Sequence, residues 1–242
     1  MAFPSDGSNL RRSPFRFSGG LDSRIAWSDC AFNDHEYGSF IQSRMFHADV
    51  TCSDCHEPHS FALRADGNNV CLQCHSPQKY DSLKHHFHKV GAAGARCVEC
   101  HMPTGTYMVV DVQRDHSIRI PRPDQILKLG TPNACNQCHF DKSAQWASDA
   151  LSKWYVHQPD GFKRFAEALH AGEESGPGAQ HTLDGLAVDS SQLAIARATA
   201  WSLLAGYAPA PADSSSDSRI VDDSALVRRA ASQSLSESNM AA

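Results

Sequence analysis

The chain has 242 residues and a formal net charge of −5, with 41% hydrophobic and 20% charged residues. This is the composition of an ordinary globular protein of one or two domains, and its mild acidity argues against nucleic acid as a partner. No apolar run approaches the length of about 18 residues that a membrane helix needs, so the sequence predicts no membrane span.

The first segment, residues 1–35, is rich in Ser, Gly, Pro and Arg and has no sustained hydrophobic period. These features predict an extended N-terminal arm. Its single cysteine, Cys30, is interpreted as a buried free thiol, as half of an interchain disulfide, or as a sulfur near the cofactor region that follows. His35 is interpreted as an exposed histidine or a metal ligand.

The next segment carries four copies of the motif C-x-x-C-H. A helix predicted over 39–47 precedes them and delivers His47 to this region. The motif cysteines are Cys52, Cys55, Cys71, Cys74, Cys97, Cys100, Cys135 and Cys138, and the histidines directly after them are His56, His75, His101 and His139. Pro58, Pro77 and Pro103 follow three motif histidines, and we expect each to end a helical turn, because proline cannot continue a helix.

C-x-x-C-H is the attachment motif of c-type haem. Two cysteines three positions apart lie on one face of a helical turn, where both sulfurs can bond to one porphyrin, and the next histidine is placed to ligate the iron. Paired cysteines are also typical of structural zinc sites and of disulfide frameworks. Histidine makes up only 14 of the 242 residues, so finding it after all four pairs by chance has a probability of about one in 100,000. The sequence therefore predicts four haem c groups.

The segment from Cys52 to His139 has few long apolar runs, so we expect the porphyrins to form much of its core. Each iron needs a sixth ligand, and histidine dominates the supply, because few methionines lie near the motifs. The preferred distal ligands are His47, His59, His88 and His116, with His85 as a competitor of His88 or as a further ligand. The alternative for each is a solvated or propionate-bonded histidine. His157, His170 and His181 fall in the later helical region and are interpreted as non-ligands.

After the fourth motif the sequence becomes helical in pattern. A single apolar stripe over 143–158 contains Trp146, Ala147, Ala150, Leu151, Trp154 and Tyr155. Further helices are predicted at 162–172, near 179–188 and at 191–205, followed by a flexible linker at 209–218. The last helix is predicted to begin at Asp222 or Asp223 as N-cap. Its run Leu226–Ala231 is similar to the second helix of a HEAT repeat, a fold that commonly forms binding surfaces.

Several of these motifs resemble known multihaem families. The runs from His88 to Pro103, Asp115-His116 and Cys135–His139 resemble the carboxy-terminal haem region of the superfamily of ammonia-forming cytochrome c nitrite reductase and hydroxylamine oxidoreductase. More closely, Gly38–Met45, Cys52–Ser60 and Arg114–Asp124 are similar to large exported multihaem cytochromes with doubled C-x-x-C-H motifs and helical repeats. The resemblance implies that His47, His59, His88 and His116 are distal ligands, including to haems attached elsewhere in a chain.

The chain also departs from these families. The larger cytochromes carry further motifs upstream, and the nitrite reductases have a C-x-x-C-K motif that leaves one iron open; the sequence has neither feature. None of Tyr80, Tyr107 and Tyr155 lies in the context of the tyrosine that hydroxylamine oxidoreductases cross-link to their active haem. The first residues lack the apolar core of a signal peptide. Because haem is attached to such motifs outside the cytoplasm, we expect the leader to lie outside this sequence.

Together these observations predict a mostly α-helical protein with much irregular structure. Its expected parts are the arm (1–35), a tetrahaem c-type cytochrome domain (36–142) and a HEAT-like α-helical cap or docking region (143–242). The expected function is electron transfer through mostly bis-histidine haems within a larger exported redox assembly, periplasmic or extracellular, with redox proteins or further copies of the chain as partners. The alternative is an enzyme that acts on a small nitrogen or sulfur compound at one open haem.

Overall fold

A computed structural model describes residues 35–107, 111–155, 165–207 and 221–241. The predicted arm up to residue 34 with Cys30, the region of His157 and the predicted linker at 209–218 lie outside the described residues. In the part that is described, no helix combines the length and the apolar character needed to cross a membrane.

The first half of the chain is built from short helices joined by turns and irregular segments. The helices are α1 His35–Phe40, α2 Cys52–Cys55, α3 Asn69–Leu72, α4 Pro77–Tyr80, α5 Leu83–His86, α6 Cys97–His101, α7 Pro123–Leu129 and α8 Cys135–Cys138, with 3₁₀ turns at Phe46–Ala48 and Ala93–Ala95. A hairpin of β1 Thr104–Tyr107 and β2 Asp111–Arg114, which the sequence pattern did not predict, pairs Thr104 with Arg114. The prediction of a mostly helical chain with much irregular structure is confirmed.

Two local predictions differ from the structure. The single helix expected over 39–47 is divided, because the hydroxyl of Ser43 accepts the backbone N–H of Phe46 at 3.0 Å and so competes with helical hydrogen bonding. Pro77 was expected to end a turn but instead begins α4 at its first position, where the missing N–H costs nothing. The second motif is only partly helical, because α3 ends at Leu72 and does not include Cys74.

The second half contains longer helices that pack on one another. They are α9 Ala144–Trp154, α10 Ala166–Glu173, α11 Ala179–Val188, α12 Ala194–Leu204 and α13 Ala225–Ala241. Ser143 caps α9 by accepting the N–H of Trp146 at 3.1 Å. Helix α9 packs on α7, and α10 to α13 pack in succession around a core that includes Leu169, Leu183 and Val227.

The two halves differ in how they are held together. Large buried apolar side chains are concentrated in the second half. Among the described residues before Leu129, the buried ones are small or polar, namely Gly38, Ser39, Gln42, Ser43, Ala95, Ser117 and Pro123. Phe61, Leu63, Leu83 and Val90 in this half are between 50% and 76% exposed. A segment with so little hydrocarbon core and so much exposed apolar surface needs another apolar component to fold around.

Candidate haem-binding site

The eight motif cysteines are free thiols in the structure. The thiols of neighbouring motifs lie close together. Cys71 and Cys97 share a hydrogen bond, which raises the pKa of Cys71 and lowers that of Cys97 to about 7. Burial, reinforced by the nearby Cys135 and Cys138 thiols, raises the pKa of Cys100 to about 11. The attachment points of successive motifs are therefore adjacent in space as well as in sequence.

Three of the four motif histidines face a second histidine from elsewhere in the chain. The ring centroids are 6.4 Å apart for His56 and His116, 5.9 Å for His101 and His85, and 6.1 Å for His139 and His88. A metal–imidazole bond is about 2.0 Å long and the nitrogen lies about 1 Å from its ring centre, so two imidazoles on opposite sides of one metal ion have centroids about 6 Å apart. The three separations therefore match the spacing of two axial ligands on one iron.

Backbone carbonyls orient several of these rings. The Nδ1 of His56 donates to the carbonyl of Phe61, that of His101 to the carbonyl of Arg119, and that of His116 to the carbonyl of Arg114, each at 2.9 Å. A ligating histidine typically donates its second ring nitrogen in this way, which fixes the tautomer and leaves Nε2 free for the metal. Burial lowers the pKa of His101 and His85 and so favours the neutral form that binds iron.

These features fit haem c better than zinc. Within the described ranges, no three side chains of His, Cys, Asp or Glu converge as a structural zinc site requires. The histidines meet in pairs, which is what a porphyrin needs, because the porphyrin itself supplies the other four nitrogens. The exposed apolar side chains around the motifs provide the surface that bound porphyrins would cover.

The chain is similar in sequence to proteins with several c-type haem motifs. The family described as "Doubled CXXCH motif" matches residues 46–80. The chain is 31% identical over 125 residues to the multiheme cytochrome MtrA of Shewanella baltica (strain OS185). These two matches support a multihaem c-type cytochrome. The match to MtrA covers 50% of this chain and 29% of MtrA. The crystal structure of the outer cell wall cytochrome OcwA aligns over 90% of this chain and 48% of its own, with 16% identity and a TM-score of 0.32.

The remaining predicted ligands of the cytochrome are placed differently. His59 is 94% exposed and its Nδ1 lies 3.2 Å from the carboxylate of Glu57, whose pKa falls to about 2 because it accepts hydrogen bonds from the backbone of Ser60 and from His59. His47 is exposed, with its ring against Phe46 at 5.4 Å. These surroundings do not test the role of either residue as a distal ligand, so that role stays a prediction.

In the part of the chain that the structure describes, the ring of the second motif histidine meets a tyrosine and no second imidazole. The ring of His75 meets Tyr80 edge to face at 5.2 Å, and Tyr80 in turn meets His85 at 5.3 Å. Tyr80 therefore lies between the proximal histidine of the second motif and the histidine that faces the third motif. The nearby ammonium of Lys79 lies 4.9 Å from the centre of the Tyr80 ring.

Asn68 joins the second and third motifs of the cytochrome. Its side-chain amide donates to the carbonyl of Ala95 at 2.9 Å and to Asp81 at 3.1 Å, while its oxygen accepts the backbone N–H of Cys97 at 2.9 Å. The bonds to Ala95 and Cys97 hold the start of α6 against α3, and the bond to Asp81 joins the same side chain to the end of α4. Sequence reasoning missed Asn68, because nothing in its local context distinguishes it from an ordinary loop asparagine.

Helix α1 helps to place the histidine that faces the first motif. The hydroxyl of Ser39 accepts the backbone N–H of His116 at 3.2 Å. Ser39 and Ser117 are both buried, so this contact is shielded from water. On the other side of the same loop, Arg114 donates to the carbonyl of Met102 at 3.0 Å and to the carboxylate of Glu99 at 2.9 Å.

Proposed function

We propose that this cytochrome transfers electrons along four haem c groups, three of which take both axial histidines from the described residues. The proposed axial pairs are His56 with His116, His101 with His85, and His139 with His88. The observation that carries this proposal is the separation of 5.9 to 6.4 Å between the paired rings. When bound, haem would supply one-electron redox chemistry, and the three histidine pairs would hold three of the four irons from both sides.

The contacts between motifs support a path that follows the order of the motifs in the chain. The thiols of Cys71 and Cys97 are hydrogen-bonded, and Asn68 ties the same two motifs together. The first and second motifs are neighbours too. The Cys74 thiol lies close enough to Cys55 to add to the effect of burial in raising the pKa of Cys55. Short separations between successive attachment points favour electron transfer between successive haems.

The haem attached at His75 has a different environment. We propose that His47 and His59 ligate haems attached elsewhere, in a longer chain or a neighbouring molecule, in keeping with their exposure and with the resemblance to larger multihaem cytochromes. A second function, reduction or oxidation of a small nitrogen or sulfur compound, is favoured by one observation. His75 faces Tyr80 and no second histidine among the described residues, so its haem is the candidate open site.

We further propose that residues 36–142 act as a tetrahaem domain and residues 143–242 as a HEAT-like docking region in an exported, periplasmic or extracellular assembly. The succession of packed helices α10 to α13 supports a repeat-like arrangement. Partners would be redox proteins or further copies of the chain. The similarity to MtrA, a multiheme cytochrome of which this chain matches only 29%, is consistent with a longer row of haems.

The number of haems and the axial pairs are tested together by substitution. The mass of the intact holoprotein should exceed that of the polypeptide by four haems. His116→Ala, His85→Ala and His88→Ala should each open one iron, seen as carbon monoxide binding to about a quarter more of the reduced haem than in the wild type.

His181 supplies the matched control, because it is an exposed histidine of α11 in the helical region. His181→Ala should leave the spectra of the reduced protein unchanged with carbon monoxide. If none of the three substitutions at His116, His85 and His88 creates a carbon monoxide-binding haem in a folded protein, the axial pairs proposed above are wrong.

A further inference from the structure

Two of the proposed distal ligands lie on a single tight turn. His85 is in α5 and faces His101, whereas His88 follows the helix and faces His139. Phe87 between them has φ 55° and ψ 20°, the left-handed conformation. That conformation ends α5 and redirects the chain, so that histidines three positions apart reach two different motif histidines.

A bulky residue rarely adopts the left-handed conformation, and positions of this kind persist only where their surroundings impose them. The side chains that surround Phe87 come from the end of α9. The Phe87 ring stacks on Trp154 with centroids 4.6 Å apart and an interplanar angle of 5°, and it meets Tyr155 edge to face at 5.9 Å. The stacking partner is thus part of the helical region and not of the haem-binding segment.

Trp154, the last residue of α9, and Tyr155, which follows it, also contact both histidines of the turn. The hydroxyl of Tyr155 donates to the backbone carbonyl of His85 at 2.7 Å. The ring of Trp154 meets that of His88 edge to face at 6.1 Å. Helix α9 offers a fixed base for these contacts, because it is capped by Ser143 and buries Leu151.

We propose that Trp154 and Tyr155 are positioning residues for two haems: they hold the turn at Phe87 so that His85 and His88 remain on the irons attached at His101 and His139. The inference rests on the axial pairs proposed above and extends them to the helical region. On this inference, α9 belongs structurally to the haem site, and any movement of α9 changes the ligation of the third and fourth haems together.

Trp154→Ala in the holoprotein tests this inference. Removal of the stacking surface should release the strained turn, so that the haems at His101 and His139 become partly high-spin in the electron paramagnetic resonance spectrum of the oxidised protein. The reduced variant should bind carbon monoxide at up to about half of its haem beyond what the wild type binds. Trp154→Phe, which keeps an aromatic face for Phe87, should restore most of the low-spin signal.

Tyr155→Phe keeps the size of the side chain and removes only the hydrogen bond to His85. This variant therefore tests the positioning role even where Trp154→Ala fails to fold. It should affect the haem at His101 alone. Lys153→Ala is the control, because Lys153 is exposed in the last turn of the same helix. It should match the wild type.

The outcomes separate this inference from the proposed function. A wild-type protein whose third and fourth haems already bind carbon monoxide would overturn the axial pairs themselves. A closed wild type, together with Trp154→Ala and Tyr155→Phe variants that hold four haems and remain as low-spin and unreactive as the wild type, would overturn only the positioning role.

Discussion

Gly94 should be required for ligation of the fourth haem. It lies in the 3₁₀ turn Ala93–Ala95, directly against the ring of His88. A Cβ atom at this position would lie 2.7 Å from both Cγ and Nε2 of His88, where ordinary contacts begin at 3.4 Å. Cδ2 of His88 would lie closer still, so the ring would have to move by more than about 0.7 Å, whereas metal–ligand distances vary by only about 0.2 Å.

The displaced ring cannot remain a normal axial ligand. Gly94 is not among the residues with positive φ, so the backbone itself accepts alanine and the conflict falls on the side chain of His88. We expect Gly94→Ala to open the iron attached at His139. The reduced variant should then bind carbon monoxide at about a quarter more of its haem than the wild type does.

The assay compares carbon monoxide difference spectra of the reduced variant and wild type, with haem content measured on the same samples. Gly185→Ala is a suitable control, because nothing lies within 4 Å of the Cβ position at Gly185 in α11. The reasoning is refuted if Gly94→Ala retains four haems and its difference spectrum matches that of the wild type.

Three other substitutions probe attachment and stability. Cys138→Ala removes one of the two thioether bonds expected at the fourth motif and should weaken or remove one covalent haem; a variant that holds the same amount of covalent haem as the wild type would speak against attachment through Cys138. Asn68→Ala should lower the free energy of unfolding by about 1–3 kcal/mol, because the backbone N–H of Cys97 loses its acceptor. Urea denaturation measures the loss, with Asn69→Ala as the control. Equal midpoints for the two variants would count against the role of Asn68. Asp222→Asn should cost about 3 kcal/mol, because Arg197 is only 9% exposed and loses its charged partner; a loss below about 0.5 kcal/mol would contradict it.

The sequence predicts the haem attachment points because their chemistry is covalent and local. Two cysteines and a histidine at fixed spacing carry the chemistry of the motif wherever the segment lies in the fold. The apolar stripe that contains Ala147 and Leu151 likewise predicted α9, since a helical period is a property of neighbouring residues. The end of that helix differs, because the structure ends it at Trp154, ahead of the predicted boundary.

Long-range features could not be obtained in this way. His85 and His88 are similar in sequence, and only the left-handed turn at Phe87 turns them toward different motif histidines. The sequence did not predict the proposed role of Trp154 either. Its spacing matches an ordinary core position of a helix, whereas its ring lies against Phe87, which is far away in sequence. Gly94 gave no signal, since a close approach between a backbone and a distant ring leaves no local pattern.

The most direct test of the central claim, that three of the irons are closed by two histidines each, is the visible spectrum of the reduced wild-type holoprotein before and after addition of carbon monoxide. The gas binds only iron with a free or weakly held sixth position. The proposed axial pairs predict that at most the haem at His75 responds, so that no more than about a quarter of the Soret intensity shifts. A shift of half the intensity or more would contradict the account.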